Sequence, residues 1–281
     1  MNTRLSLVLP GLPAEDGEAL GVAVARQLAD DERRMSRFAP GAELASANRL
    51  AANGPFPLSE KLFEELSMCR AHWVRTGGAF DITLGAVNDN LRLAKSGDAV
   101  SGWEHVDLDA ARRTVSFDRE GLRLDLGGIG KGIALAALGQ LLRERGVAHA
   151  FVSFGDSSIL TIGSQPSGDP WQVGIRDRFV AELSLHTFGL SDRSVSTSGI
   201  DPAAPHLIDA STHDMPGGRR TLSIACDCPI DAEVLSTALI MRSPTARAAI
   251  LANYSAAQGV EFAWHEVGGA PAAEKAWSHA A

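Results

Sequence analysis

Lysine is scarce in this chain of 281 residues, with four against twenty-two arginines. Cysteine is scarcer still: Cys69, Cys226 and Cys228 make an odd number without a secretory pattern, which argues against a disulfide framework. Basic excess is missing altogether. The net charge of −8, with no basic run, excludes a general nucleic-acid binder, because neutralising phosphates requires a positive face. No apolar run approaches the roughly 20 residues that cross a bilayer, so no membrane span is expected. The stretch Leu5–Leu9 is too short for a signal-peptide core, is cut by Pro10, and is followed by no cysteine that would take a lipid; a cytoplasmic location is the expectation.

What the chain does have is glycine where polar residues gather. Residues 124–132 read LDLGGIGKG, with four glycines, Asp125 and Lys131 in nine positions, followed by the helical pattern IALAALGQLLRERG. Glycine lets a ligand approach the backbone, and the first turn of a helix leaves amides unpaired with partial positive charge, so a strand–turn–helix junction of this kind suits a phosphate. The pattern is neither a nucleotide loop GxxxxGK[ST], since Asp125 and Gly132 stand where glycine and a hydroxyl belong, nor GxGxxG, which fails at Ile133. An ordinary glycine-rich turn against a packed helix remains open.

Around this centre the pattern predicts an edge strand at 4–9, a helix at 15–30, and a lid or binding loop over 35–49 carrying Arg37, Phe38 and Asn48. A helix follows at 59–75, with Ser59 as its cap and Leu62, Leu66, Cys69 and Trp73 as its buried stripe. A second cluster, GGAFDITLG, occupies 77–85. The runs TVSFD and GLRLDL read as a hairpin, and after a helix at 133–145 come HAFVSFGD, SSILTIG, WQVGIRD, AELSLHT, SVSTSG and RTLSIACDC, taken as strands of one sheet. Asp156 and Thr197-Ser198-Gly199 sit where such strands stop. Cys226 and Cys228 read as strand residues, since no second Cys/His pair stands at zinc spacing. On the last helix, beginning near Asp231, Glu233 and Thr237 are four apart and share a face; they are hard oxygen donors suited to magnesium, or equally a solvated helix pair. The expected architecture is α+β, a mixed sheet with packed helices, over residues 1–281 as a single domain or one with two lobes.

Taken in order, SRFAPGAEL, TGGAFDITLG, LDLGGIGKG, SFGD, WQVGIRD, SVSTSG, HLID and EVLSTAL resemble the FAD:protein FMN transferase (ApbE-type) family over about residues 33–245. The resemblance implies a flavin site at strand–loop–helix junctions and magnesium-dependent transfer of the FMN half of FAD to a Thr/Ser hydroxyl of an acceptor protein, releasing AMP. It places Ala79, Phe80, Asp81, Asp125, Lys131 and Ile208 against the flavin nucleotide. Gly128, through its carbonyl, would ligate the metal with Glu233 and Thr237. His206 would be the general base and Asp209 its neighbour in the active segment; a packed or merely hydrogen-bonding histidine is the alternative for His206. The chain departs from the family pattern at Glu233, where aspartate is usual; at HLIDASTHD, which lacks the proline and basic residue of HIIDPRTG; at Phe154, where the family has glycine; and in an N-terminal Met-Gly-Thr segment that is not evident. An FAD pyrophosphatase or a non-catalytic flavin-binding protein are the competing expectations.

Overall fold

The structure is a computed structural model that describes residues 3–92, 99–176, 184–201, 207–214, 216–264 and 273–279. His206 lies outside the described residues. The chain opens with strand β1 (Leu5–Val8) and helix α1 (Ala14–Met35), which buries Leu20, Val24 and Met35. It divides into two compact units, one formed by Leu28–Gly130 with His206–Met215, the other by Asn2–Gln27, Lys131–Pro205 and Pro216–Ala281.

The first unit contains α2 (Glu43–Leu50), β2 (Phe56–Pro57), α3 (Glu60–Arg75), α4 (Gly85–Arg92), β3 (Val106–Asp109) and β4 (Thr114–Phe117), its strands ordered β2-β4-β3. The expected loop over 35–49 is therefore half helix: Leu44, Ala45 and Ala47 of α2 are buried, which gives the segment an apolar face that a surface lid would not have. Helix α3 begins as its sequence predicts, with Ser59 Oγ accepting from Leu62 N at 3.3 Å and with Leu62, Leu66 and Cys69 fully buried. The hairpin, however, joins β3 to β4 rather than TVSFD to GLRLDL. Asp109 Oδ1 accepts from the amides of Ala111 and Arg112, which tightens the turn ahead of β4. The GLRLDL stretch is extended but has another partner. Asn48 donates from Nδ2 to the Leu124 carbonyl (2.9 Å) and accepts from the Leu124 amide (2.8 Å), so one side chain satisfies the groups a neighbouring strand would have used. Between α1 and α3, Arg34 bonds both Asp31 (2.7 Å) and Glu65 (2.7 and 2.8 Å) in a buried cluster.

The second unit is built on a seven-stranded sheet ordered β1-β5-β6-β9-β10-β11-β12. Its members besides β1 are β5 (Ala150–Phe154), β6 (Ser158–Ile162), β9 (Ser194–Ile200), β10 (Arg219–Cys226), β11 (Ala257–Trp264) and β12 (Ala273–His279). Strands β7 (Trp171–Arg176) and β8 (Ser184–Leu190) do not join it; they form a separate two-stranded ribbon. The alternation of β7 explains this: Trp171, Val173 and Ile175 turn inward and pack with Phe188 and Leu190 onto Val195, Val260, Phe262 and Trp264 of the large sheet, while the intervening residues face solvent. Helices α5 (Gly130–Glu144), α6 (Pro229–Leu239) and α7 (Pro244–Leu251) complete the unit. In α6, Val234, Leu235, Ala238 and Leu239 are fully buried, as their spacing predicts. Gly132 brings α5 against α6: a Cβ there would lie 2.7 Å from the Pro229 carbonyl oxygen and 2.9 Å from Glu233 Cγ. Gly132 is needed for that approach and not for a left-handed backbone. Thr197, Ser198 and Gly199 lie inside β9 rather than at its end.

Among the described residues, no helix is long and apolar enough to cross a membrane.

Candidate functional site

In the first unit the two glycine-rich clusters of the sequence lie side by side. Asp125 N donates to the Ile82 carbonyl (2.7 Å), Gly85 N donates to the Arg123 carbonyl (3.0 Å), and Leu84 bridges Arg123 in parallel. Gly85 is required at this seam, because a Cβ would fall 2.5 Å from Arg123 O. Thus GGAFDITLG and LDLGG form one surface although residues 86–123 separate them in the chain.

Asp125 projects from that seam with both oxygens engaged. Oδ1 accepts from Gly127 N at 2.8 Å, bending the chain toward α5, and Oδ2 lies 2.9 Å from Arg37 Nε as an ion pair. Arg37 is 4% exposed along its side chain and also holds Asp89, with Nη1 donating to the two carboxylate oxygens at 2.9 and 3.1 Å. Arg123 Nη1 reaches Asp89 at 3.2 Å. The guanidinium carbon of Arg37 stands 4.2 Å over the Phe38 ring, whose own position is exposed. Arg37, Phe38, Asn48, Arg49 and Arg123 line a cavity of 570 Å3.

Asp81 is the other acid of this surface. Its Oδ1 accepts from Thr83 N (2.8 Å) and from Thr83 Oγ1 (2.7 Å), and Thr83 Oγ1 in turn accepts from Gly102 N (2.7 Å). Burial raises the Asp81 pKa, against the opposing hydrogen bonds of Thr83 and Trp73. Ala79 and Phe80 are buried, with the Ala79 amide donating to the Thr76 carbonyl (3.2 Å) and the Phe80 amide to Thr76 Oγ1 (3.1 Å). Ile208 packs on Leu84 and Val87, a core position beside the same segment. Asp209 closes a turn: its Oδ1 accepts from Ser211 N at 2.8 Å and its carbonyl accepts from His213 N at 2.8 Å. His213, at φ 60°, places Nε2 3.2 Å from Ser101 Oγ.

In the second unit Lys131 occupies the first turn of α5, and its Nζ lies 3.0 Å from Glu233 Oε2 on α6. Glu233 is 3% exposed. Its other oxygen accepts from Ser158 Oγ on β6, and Ser236 Oγ donates to its carbonyl at 3.1 Å. Ser236 also meets Ser196 (3.0 Å) and Ser198 (2.9 Å), so hydroxyls of β9 and α6 form a continuous buried network beneath the acid. Thr237, one turn after Glu233, is half-buried. Phe154, in the SFGD stretch, is 2% exposed and is a β5 core residue, while Asp156 takes φ 55° in the turn after it.

For a metal, the donor chemistry decides. Among the described residues no three His, Cys, Asp or Glu side chains gather at ligating distance. The Glu233 carboxylate and the Thr237 hydroxyl, four residues apart on α6, are hard oxygen donors of the type magnesium takes. A cation there must share Glu233 with Lys131. Gly128 itself is half-buried in the turn that Leu126 closes by accepting from the amides of Ile129 (3.1 Å) and Gly130 (2.7 Å).

Arg37 and Asp89 carry the part of this arrangement that sequence reasoning missed. Arg37 falls in a segment whose irregular composition marks it as binding, but nothing local pairs it with an acid fifty-two residues away.

A family model described as the ApbE family matches residues 1–262. Among curated proteins, the FAD:protein FMN transferase of Klebsiella pneumoniae (strain 342) is 25% identical over 268 residues, covering 86% of this chain and 75% of that protein. The protein of the same name from Escherichia coli (strain K12) is 23% identical over 271 residues, covering 87% and 77%. Among solved structures, the flavin transferase ApbE from Vibrio cholerae superposes with a TM-score of 0.81 at 22% identity, covering 99% of this chain and 94% of that one. The ApbE protein from Thermotoga maritima gives 0.78 at 20% identity, with 93% and 90% covered. The mixed α and β architecture is thus that of the ApbE structures.

Proposed function

From the premise that the chain belongs to the ApbE family, we propose that it is an FAD:protein FMN transferase, moving the FMN half of FAD onto a Thr or Ser hydroxyl of an acceptor protein. The hydroxyl oxygen attacks the FMN phosphorus, the pyrophosphate P–O bond to AMP breaks, and the hydroxyl proton passes to a base. A new phosphoester and AMP result. The names of the curated relatives support the reaction. The single observation in this chain that carries the reading is the pairing of Lys131 with the buried Glu233, which sets a cation at the start of a helix where a phosphate is favoured.

Each residue then has a task. Lys131 and the first-turn amides of α5 bind the pyrophosphate; Asp125, fixed by Arg37 and Gly127, and Asp81, fixed by Thr83, take polar groups of the flavin nucleotide. The carbonyls of Ala79 and Phe80 and the apolar Ile208 line the same substrate. Magnesium, when held by Glu233, Thr237 and the Gly128 carbonyl, supplies charge neutralisation on the phosphates. His206 accepts the acceptor's proton, with Asp209 shaping the turn that follows it.

The test is to incubate the purified protein with FAD, magnesium and a Thr/Ser-bearing acceptor, following AMP release together with covalent flavin fluorescence on the acceptor. Equal amounts of both are expected. AMP and free FMN without acceptor labelling would make it an FAD pyrophosphatase instead, and FAD binding without AMP would leave only a flavin-binding protein.

A further inference from the structure

The end of the seven-stranded sheet carries a second charged cavity that the proposed reaction does not use. On β10, β11 and β12, directly opposed residues share a face, and the registers place Leu222, Glu261 and Lys275 in one row and Ile224, Gly259 and Trp277 in the next. Arg220 lies two residues before Leu222 on the same face. Helix α7 supplies Arg247, whose two terminal nitrogens donate to the two oxygens of Glu261 at 2.9 Å each. Arg220, Arg242, Arg247, Glu261, Lys275 and Trp277 line a cavity of 570 Å3.

Its charge is out of keeping with the chain. Leaving Arg242 aside, three cations, Arg220, Arg247 and Lys275, face one carboxylate in a protein whose net charge is −8. Glu261 is already matched by Arg247, and among the described residues neither Arg220 nor Lys275 makes an ion pair. Burial would raise the Glu261 pKa, yet the hydrogen bonds of Arg247 and the field of Arg220 and Lys275 bring it below its ordinary value. The surplus positive charge therefore reaches the interior of the cavity.

Trp277 gives the cavity an aromatic wall. A Cβ on Gly259 would lie 2.2 Å from Trp277 Cζ2, so the indole rests on the bare backbone of β11 only because residue 259 is glycine. Lys275 and Trp277 stand beyond residue 262, where the match to the family model ends. Cations beside a flat aromatic surface match a phosphate attached to a planar ring.

We propose that this cavity binds a nucleotide, its phosphates against Arg220 and Lys275 and its base against Trp277. The binding does not depend on flavin transfer. Calorimetric titration of ADP into the FAD-saturated protein, without divalent metal, tests it. One ADP site is expected, weakened about tenfold or more in Lys275→Ala and in Lys275→Gln, roughly the loss of one charge-assisted hydrogen bond. Lys275 is exposed on the edge strand β12, so neither change should alter FAD affinity, which reports that the variants are folded. Trp277→Ala should weaken ADP while leaving pyrophosphate binding as in the parent. Absence of an ADP site in the FAD-saturated protein, or ADP binding undiminished by both Lys275 changes, overturns the proposal; equal loss of ADP and pyrophosphate in Trp277→Ala overturns the assignment of the base.

Discussion

Lys131 Nζ and Glu233 Oε2 are 3.0 Å apart, and they join the start of α5 to α6 across 102 residues of sequence. Glu233 is buried, and its two carboxylate oxygens are taken by this partner and by Ser158 Oγ. Removing the lysine leaves a buried carboxylate with one hydroxyl, and removing the acid leaves a lysine that is still partly solvated. The pair is therefore unequal in its consequences.

Lys131→Ala is expected to lower unfolding stability by about 1–3 kcal/mol, the cost of an uncompensated charge reduced by the partial exposure of the site. The same change weakens FAD binding. It should also tighten magnesium binding in the absence of FAD, because the competing cation at Glu233 is gone. Urea unfolding and magnesium titrations of the two proteins check this; weaker magnesium binding in Lys131→Ala would mean that lysine and metal do not share Glu233. Glu233→Gln should raise the magnesium requirement, and Glu233→Asp, shorter by one methylene, separates charge from reach.

Arg37 links Asp89 to Asp125 and is almost wholly buried. Arg37→Ala leaves two carboxylates without their shared cation, and a loss of about 1–3 kcal/mol is expected by urea unfolding. Arg37→Lys should recover only part of it, because an ammonium cannot present the separate edges that contact the two acids. If FAD affinity is unchanged in Arg37→Ala, Asp125 needs no positioning by Arg37.

Gly132 makes a prediction whose sign is informative. Inside an isolated helix Gly→Ala stabilises by roughly 1 kcal/mol. Here the added methyl meets the Pro229 backbone at 2.7 Å, so Gly132→Ala should destabilise by about 1–3 kcal/mol as α5 is forced from α6. Thermal unfolding decides, and a stabilised variant would show that the two helices separate freely.

The distribution of these contacts explains what the sequence could reveal. Helix α3 was legible because its cap and the buried Leu62, Leu66 and Cys69 follow local spacing, although Trp73, expected to complete the stripe, is only half-buried; the buried face of α6 was legible from the same kind of spacing. The polar clusters 77–85 and 124–132 were visible as compositions, but their adjacency depends on hydrogen bonds between Ile82 and Asp125 and between Gly85 and Arg123. No local pattern encodes such pairings. The misplaced hairpin has the same origin: GLRLDL has the alternation of a strand, but its hydrogen bonds go to distant groups, those of Leu124 to the Asn48 side chain seventy-six residues earlier and those of Arg123 and Asp125 to the backbone of Gly85 and Ile82. Strands β7 and β8 likewise look like sheet members until the packing of Trp171, Val173 and Ile175 onto the large sheet is known.

Buried His72 on α3 provides the last prediction. Desolvation, with a smaller contribution from Arg75, lowers its pKa from the ordinary 6.5 to about 4. Its ring stands edge-on to Phe80, with centroids 6.5 Å apart, so protonation would place a charge beside the buried Phe80 segment. The folded state binds this proton less readily than the unfolded chain. The contribution of His72 to stability is therefore complete above pH 6.5 and declines as the pH falls from there toward 4. Asp81 and Glu65 act in the opposite sense, since burial raises both pKa values and the folded state takes up their protons first as the pH falls. Total stability thus mixes opposing terms, and the difference between the parent and His72→Leu isolates the histidine. That difference, measured by urea unfolding at pH 7.5 and again near pH 4.5, should shift in favour of the leucine variant at the lower pH. A difference that stays constant between the two would mean that His72 titrates alike in the folded and unfolded chains.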